Sequence, residues 1–245
     1  ITYDPAYAYE IGHIVRDGLR RMYGESPEDV YYYLTVYNEP YVQPAEPEGL
    51  DVDGVLRGMY LLRASDLTEP ERPRGQILAS GVAVPWALEA QQLLRNDWGV
   101  AADVWSVTSW SELRRDGLRC DEQAFLQPGS SVNGEAPVPF VTQKLAGAPG
   151  PVVAVSDYMR QVPDQIRQWV PQDFASLGTD GFGFSDTRPA ARRFFTVDGP
   201  SVATRLLLQL AQRGEVDPSL PAQAVEKYRL HDVAAGTTGS TGGEA

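Results

Sequence analysis

Ten residues, Tyr31-Tyr32-Tyr33-Leu34-Thr35-Val36-Tyr37-Asn38-Glu39-Pro40, limit the fold more than any other stretch. The first seven are rich in aromatic and β-branched side chains and apolar on both faces, which predicts a strand in the buried middle of a parallel sheet. Pro40 cannot continue a central ladder, so the chain has to leave the sheet at the Asn-Glu-Pro step. Ligands of open parallel α/β sheets sit beyond the carboxyl ends of the strands. Asn38 and Glu39 are therefore the first candidates for a functional site. The alternative is that both merely cap the strand and bond loop backbone.

Around this run the punctuation predicts further elements. Asp4-Pro5 suits the start of a first helix, with Asp4 as its cap, and Ile11, Ile14, Val15, Gly18 and Met22 fall on one side of it. His13 lies off that side with Glu10, Asp17 and Arg20 and reads as solvated surface. Val55 to Leu62 reads as a strand. Residues 64–75 are charged and carry two prolines, the composition of a linker, and a domain boundary is placed there. Beyond it strand and helix alternate: strands at 76–84, 101–107 and 152–155, and helices from Pro85, over 111–121, 189–195, 201–213 and 220–228. Residues 128–137 form a surface loop by composition. Asp157 is placed as a helix cap, with Pro163 bending or delaying the helix that follows. Alternating strands and helices predict an α/β fold with a mostly parallel sheet.

Composition excludes several functions. The chain of 245 residues carries a net charge of −12 and no dense basic patch, so nucleic acid and anionic membrane are poor partners. No run of 18 apolar residues spans a membrane, and no charged lead with an apolar core marks a signal peptide at the first residues. The single cysteine, Cys120, cannot form an intrachain disulfide and has no base beside it, so it reads as a packing residue in a reducing cytoplasm. Only two histidines, His13 and His231, are present, which excludes a histidine-rich metal centre. The first residue is not Met, which is consistent with a processed product, a trimmed chain or a piece of a longer protein.

Leu177 to Thr187, with glycines at 178, 181 and 183 ahead of Ser185-Asp186, is the most distinctive local motif. It reads either as backbone N–H groups presented to an anion or as a strand-to-helix turn that needs positive φ. No Gly-Lys-Ser/Thr follows, and the spacing misses the dinucleotide fingerprint. No Gly-x-Ser-x-Gly elbow and no paired carboxylates stand out. From its own residues the chain presents no self-sufficient catalytic constellation.

Three blocks together carry a resemblance. They are Ile1 to Glu10; Tyr31 to Tyr41 with Gly58-Met59-Tyr60; and Asp103 to Gly117, continued by Val155-Ser156-Asp157-Tyr158 and Leu177 to Asp186. Over residues 1–232 the chain resembles the carboxyl-terminal part of the homodimeric, thiamine diphosphate-dependent first component of pyruvate dehydrogenase, in its actinobacterial style. The resemblance implies a transketolase-like layout: the end of a pyrimidine-binding middle domain over 1–63, a linker at 64–75, a transketolase carboxyl-terminal-like domain over 76–232 and a disordered tail over 233–245. It also implies an enzyme that uses thiamine diphosphate and Mg²⁺ to decarboxylate pyruvate and acetylate lipoyl groups, with dihydrolipoyl acetyltransferase, a second copy and the missing amino-terminal domains as partners. The family's Gly-Asp-Gly cofactor signature is absent, and the five Asp-Gly steps here lack the preceding Gly. The expectation is thus that this chain holds no catalytic, cofactor or metal residues of its own and is inactive alone. Asn38 and Glu39 would flank the substrate channel. Two other readings stay open: a stand-alone dimerisation or binding module, and an enzyme for a related 2-oxo acid.

Overall fold

The aromatic run does not build a long strand. A computed structural model describes residues 1–237. In it only Tyr33–Leu34 (β2) joins a ladder, pairing in parallel with Thr2–Tyr3 (β1). Tyr31, Tyr33 and Val36 are 76 %, 59 % and 72 % exposed, so the expected burial on both faces is not found. A central strand needs a neighbour on each edge, and among the described residues β1 alone pairs with β2. The same segment instead contributes Tyr32 and Leu34 to a small core around Tyr3, Ile14, Val55 and Tyr60.

Helix α1 (Ala8–Tyr23) starts three residues later than an Asp4 cap requires. Its cap residue is Tyr7, and Glu10 reaches back to accept the Tyr7 N–H at 3.0 Å. Asp4 is buried and bonded elsewhere. His13 is half-buried, with Nε2 3.0 Å from Glu46, so it is not free surface. The strand expected over 55–62 is two elements, helix α2 (Val52–Arg57) and strand β3 (Tyr60–Arg63). Gly58 divides them. It takes a left-handed φ of 113°, and a Cβ there would stand 2.6 Å from the Ser109 carbonyl oxygen.

Strand β3 opens the main sheet, with β4 (Arg74–Ala79), β5 (Ala101–Ser106), β6 (Val152–Val155) and β7 (Phe174–Leu177). The order is β3-β5-β4-β6-β7; β4 to β7 are parallel and β3 is an antiparallel edge. The mostly parallel α/β architecture is as the sequence predicts. Strand β3 lies before residues 64–75 and pairs with β5 beyond them, so one sheet spans that connection.

Side chains alternate between two dry faces. Ile77, Ala79, Val104, Val153 and Val155 pack with helices α3 (Ala83–Leu93) and α9 (Gly199–Gln212). Leu78, Trp105, Val152, Ala154 and Phe174 pack with α4 (Trp110–Leu126) and α6 (Phe140–Leu145). Ser109 caps α4 by accepting from Glu112 N, and Cys120 is buried on that helix as a packing residue. A short helix, α5 (Pro128–Val132), forms inside the expected loop and remains on the surface. Pro163 delays its helix to α7 (Gln161–Asp164), which Asp157 does not cap. Helices α8 (Arg188–Phe194) and α10 (Leu220–Lys227) follow as predicted. Of the expected tail, Val233–Thr237 form a 3-10 turn, and residues 238–245 lie outside the described residues.

Candidate functional site

Strands β4, β5 and β6 end along one edge of the sheet, and the first 60 residues are seated across it. Asp4 N donates to Thr108 O at 2.7 Å, Gly81 N donates to Asp4 O at 3.0 Å, and Ser109 Oγ donates to Thr2 O at 2.5 Å. β4 connects to β5 on one side while β6 lies on its other, so the exits of β4 and β6 mark the switch point where α/β sheets hold ligands. Here that crevice is taken up by the chain itself. Asp4 Oδ1 accepts from Thr35 Oγ1 at 2.6 Å and from Tyr37 OH at 2.5 Å. A Cβ on Gly81, at the exit of β4, would fall 2.5 Å from the Tyr37 hydroxyl. Burial, and next the Asp4 carboxylate, push the Tyr37 phenol well above its ordinary value, so it stays a donor.

Glu10 makes the second anchor. Its carboxylate is fully buried and accepts four hydrogen bonds: Ala6 N at 2.6 Å, Tyr7 N at 3.0 Å, Tyr60 OH at 2.8 Å and Ser106 OH at 2.6 Å. Burial pushes this carboxyl upward, against donors that favour its charged form. Tyr9 OH lies 2.9 Å from Tyr60 OH, and burial raises the Tyr9 phenol to about 12. Glu10 thereby fastens α1 to the ends of β3 and β5.

Asn38 and Glu39 lie beyond β2, at a cleft of about 220 Å³ that Tyr37, Asp157, Arg188 and Arg192 also line. Arg188 Nη2 donates to Asn38 Oδ1 at 3.0 Å. Arg192 pairs with Glu39 and lies over the Trp86 ring, 4.7 Å from its centroid. The sequence reading named Asn38 and Glu39 but not Arg188 and Arg192. One signal was available: two arginines four apart, which on a helix share a face. The glycine-rich segment before α8 is an exposed turn in which Gly181 takes a φ of 94°, while Asp180 accepts from Arg160 N. The helix after it is capped by Thr187, which accepts from Ala190 N. Among the described residues no three His, Cys, Asp or Glu side chains come together in a way that could hold a metal ion.

Comparison with known proteins places this architecture. The model of the transketolase-like TK C-terminal domain matches residues 58–198. The chain belongs to the transketolase-like C-terminal domain family. The pyruvate dehydrogenase E1 component middle domain matches residues 1–44. Within the family the relatives are enzymes named pyruvate dehydrogenase E1 component. The chain is 58 % identical to that of Mycolicibacterium smegmatis over 235 residues, 57 % identical to that of Mycobacterium tuberculosis and 44 % identical to that of Escherichia coli K12. It is covered over 96 %, 96 % and 94 % of its length by these, yet spans only 25 % of each. Solved transketolases share the fold. One from Pichia stipitis superposes with a TM-score of 0.55 at 18 % identity over 87 % of this chain, and that of Leishmania mexicana with 0.54 at 15 % over 86 %, each across 25 % of the transketolase chain. No helix among the described residues is long and apolar enough to cross a membrane.

Proposed function

We propose that the chain serves as the carboxyl-terminal scaffold of a pyruvate dehydrogenase E1 component, a cytoplasmic homodimeric oxidoreductase. The observation that carries this reading is the 58 % identity over almost the whole chain to an E1 component four times as long. Such an enzyme decarboxylates pyruvate and delivers the acetyl unit to the lipoyl group of a dihydrolipoyl acetyltransferase. Thiamine diphosphate with Mg²⁺ supplies the carbanion chemistry when bound. The residues present here do not fit that group by themselves: the Gly-Asp-Gly signature is missing and no metal-ligand cluster exists among the described residues. No step through the cofactor is therefore assigned to them. On this reading residues 1–63 are the end of the middle domain, 64–75 the linker and 76–232 the carboxyl-terminal domain.

The role left to this chain is positional. Glu10, Asp4 and Ser109 seat the middle-domain segment on the sheet, and Asn38 and Glu39, held by Arg188 and Arg192, flank the route to the substrate. Calorimetry of the 245-residue chain with thiamine diphosphate and Mg²⁺ should show no binding. Adding the amino-terminal portion of the enzyme should restore pyruvate turnover. Failure to complement, with both pieces folded, would support a stand-alone binding module instead.

A further inference from the structure

At the opposite edge of the sheet, where the strands begin, an open cleft of about 470 Å³ separates the second half of α9 from the turn that leads into β7. Arg167, Gln172, Asp173, Arg205, Gln209 and Arg213 line it. Three buried polar atoms in this one cleft have no hydrogen-bond partner among the described residues: Gln172 Oε1, Gln209 Oε1 and Arg205 Nε. Gln209 is only 7 % exposed. Buried polar groups are nearly always satisfied, so a cluster of orphans lining one space points to a ligand.

The amide of Gln172 is fixed in direction. Its Nε2 donates to Leu145 O at 2.6 Å and Ala148 O at 2.8 Å. Reversing it would set oxygen against two carbonyl oxygens, so Oε1 is the atom left unpartnered. Charge is arranged as well. Arg213 is paired with Asp173 at 2.7 Å and with Glu215 at 2.5 Å. Arg167 and Arg205 meet no carboxylate among the described residues, although the chain as a whole carries −12. Two unpaired guanidiniums match a dianion, and their planar forks suit phosphate oxygens. The Gln172 oxygen without a donor calls for a hydroxyl group on the same molecule, and the Gln209 amide, bonded at neither end among the described residues, can turn either its oxygen or its NH₂ to another. The volume lies within the range of small-molecule pockets.

We propose that this cleft binds a small phosphate monoester that carries hydroxyl groups, with Arg167 and Arg205 on the phosphate, the Gln172 oxygen accepting from a hydroxyl and the Gln209 amide bonding another. The cleft shares no residue with the Asn38–Glu39 region, so the proposal stands or falls independently of the E1 reading.

The test titrates glucose 6-phosphate, AMP, glucose and inorganic phosphate into the full 245-residue chain by calorimetry. At least one of the two esters should bind, inorganic phosphate about tenfold or more weakly, and glucose not at all. The two esters distinguish a sugar phosphate from a nucleotide as the source of the shared chemistry. Arg205→Gln should weaken the ester about tenfold with an unchanged circular dichroism spectrum, and Gln209→Leu should close the gap between ester and inorganic phosphate. Absence of binding by both esters, equal binding of inorganic phosphate, or unaltered ester affinity in both folded variants would overturn the proposal.

Discussion

Among single side chains, Glu10 carries the largest burden. Four donors from three parts of the chain converge on its two oxygens, and none of them reaches water. Removing the carboxylate leaves two backbone N–H groups and two hydroxyls buried without acceptors. Each such orphan costs about 1–3 kcal/mol, partly relieved where a hydroxyl can rotate. Glu10→Ala should therefore destabilise the chain by about 3–5 kcal/mol, seen as a lower urea midpoint. Glu10→Gln should recover much of this, because its oxygen can keep the two backbone N–H donors while its NH₂ donates to the Tyr60 and Ser106 hydroxyls, which accept as well as donate. The residue carries no special mark in the sequence. It stands in a helix among other charged residues, and its partners Tyr60 and Ser106 lie 50 and 96 positions away.

Elements were readable where the information is local. β4, β5 and β6 are short apolar runs bounded by Pro or Gly, and α3, α4, α8, α9 and α10 follow from capping residues and 3.6-residue spacing, whereas β7, α5 and α6 are too short to carry either signal. Two other elements were not readable for a shared physical reason. The aromatic run has the composition of a central strand, yet strand burial depends on neighbours that the run itself does not encode. The strand expected over 55–62 breaks at Gly58, which ends α2 with a left-handed φ of 113° and lies where the distant Ser109 carbonyl leaves no room for a side chain. At the candidate site, Asn38 and Glu39 could be found from the strand end, whereas Arg188 and Arg192 become their partners only through folding across about 150 residues. Packing between elements offers a sharper test. Gly117 on α4 lies against Trp169, and a Cβ there would come within 2.5 Å of the ring. Trp169 is held in turn by Asp121, at 3.0 Å from Nε1. Gly117→Ala should overpack this contact and cost about 1–3 kcal/mol, checked by melting temperature and by a shift in tryptophan emission.

At the scale of the whole molecule, ties between the first 60 residues and the rest decide how the chain responds to acid. Asp51 caps α2 by accepting from Gly54 N at 2.9 Å and also meets Lys144 Nζ on α6 at 2.6 Å. Burial pushes its carboxyl up, but the Lys144 and Gly54 donors outweigh that and hold it below the usual range. A depressed folded-state value gives stability that is present above the unfolded value, about 4, and is lost as pH falls through the folded one. Asp51 is partly exposed, so the cap, worth about 1 kcal/mol, should dominate over the ion pair. Asp51→Ala should lower the melting temperature by about 2–4 °C at pH 7, with the difference shrinking below about pH 4.

The antiparallel edge strand has a consequence for the connection at residues 64–75. β3 is hydrogen-bonded to β5 along Tyr60–Arg63, and its neighbour Met59 is buried in the core beneath. The covalent thread between Arg63 and Arg74 is thus redundant as a tether. Were a protease to nick that thread, the severed halves would stay zipped together by the ladder and by the Glu10 and Asp51 contacts, behaving as one particle with two chains.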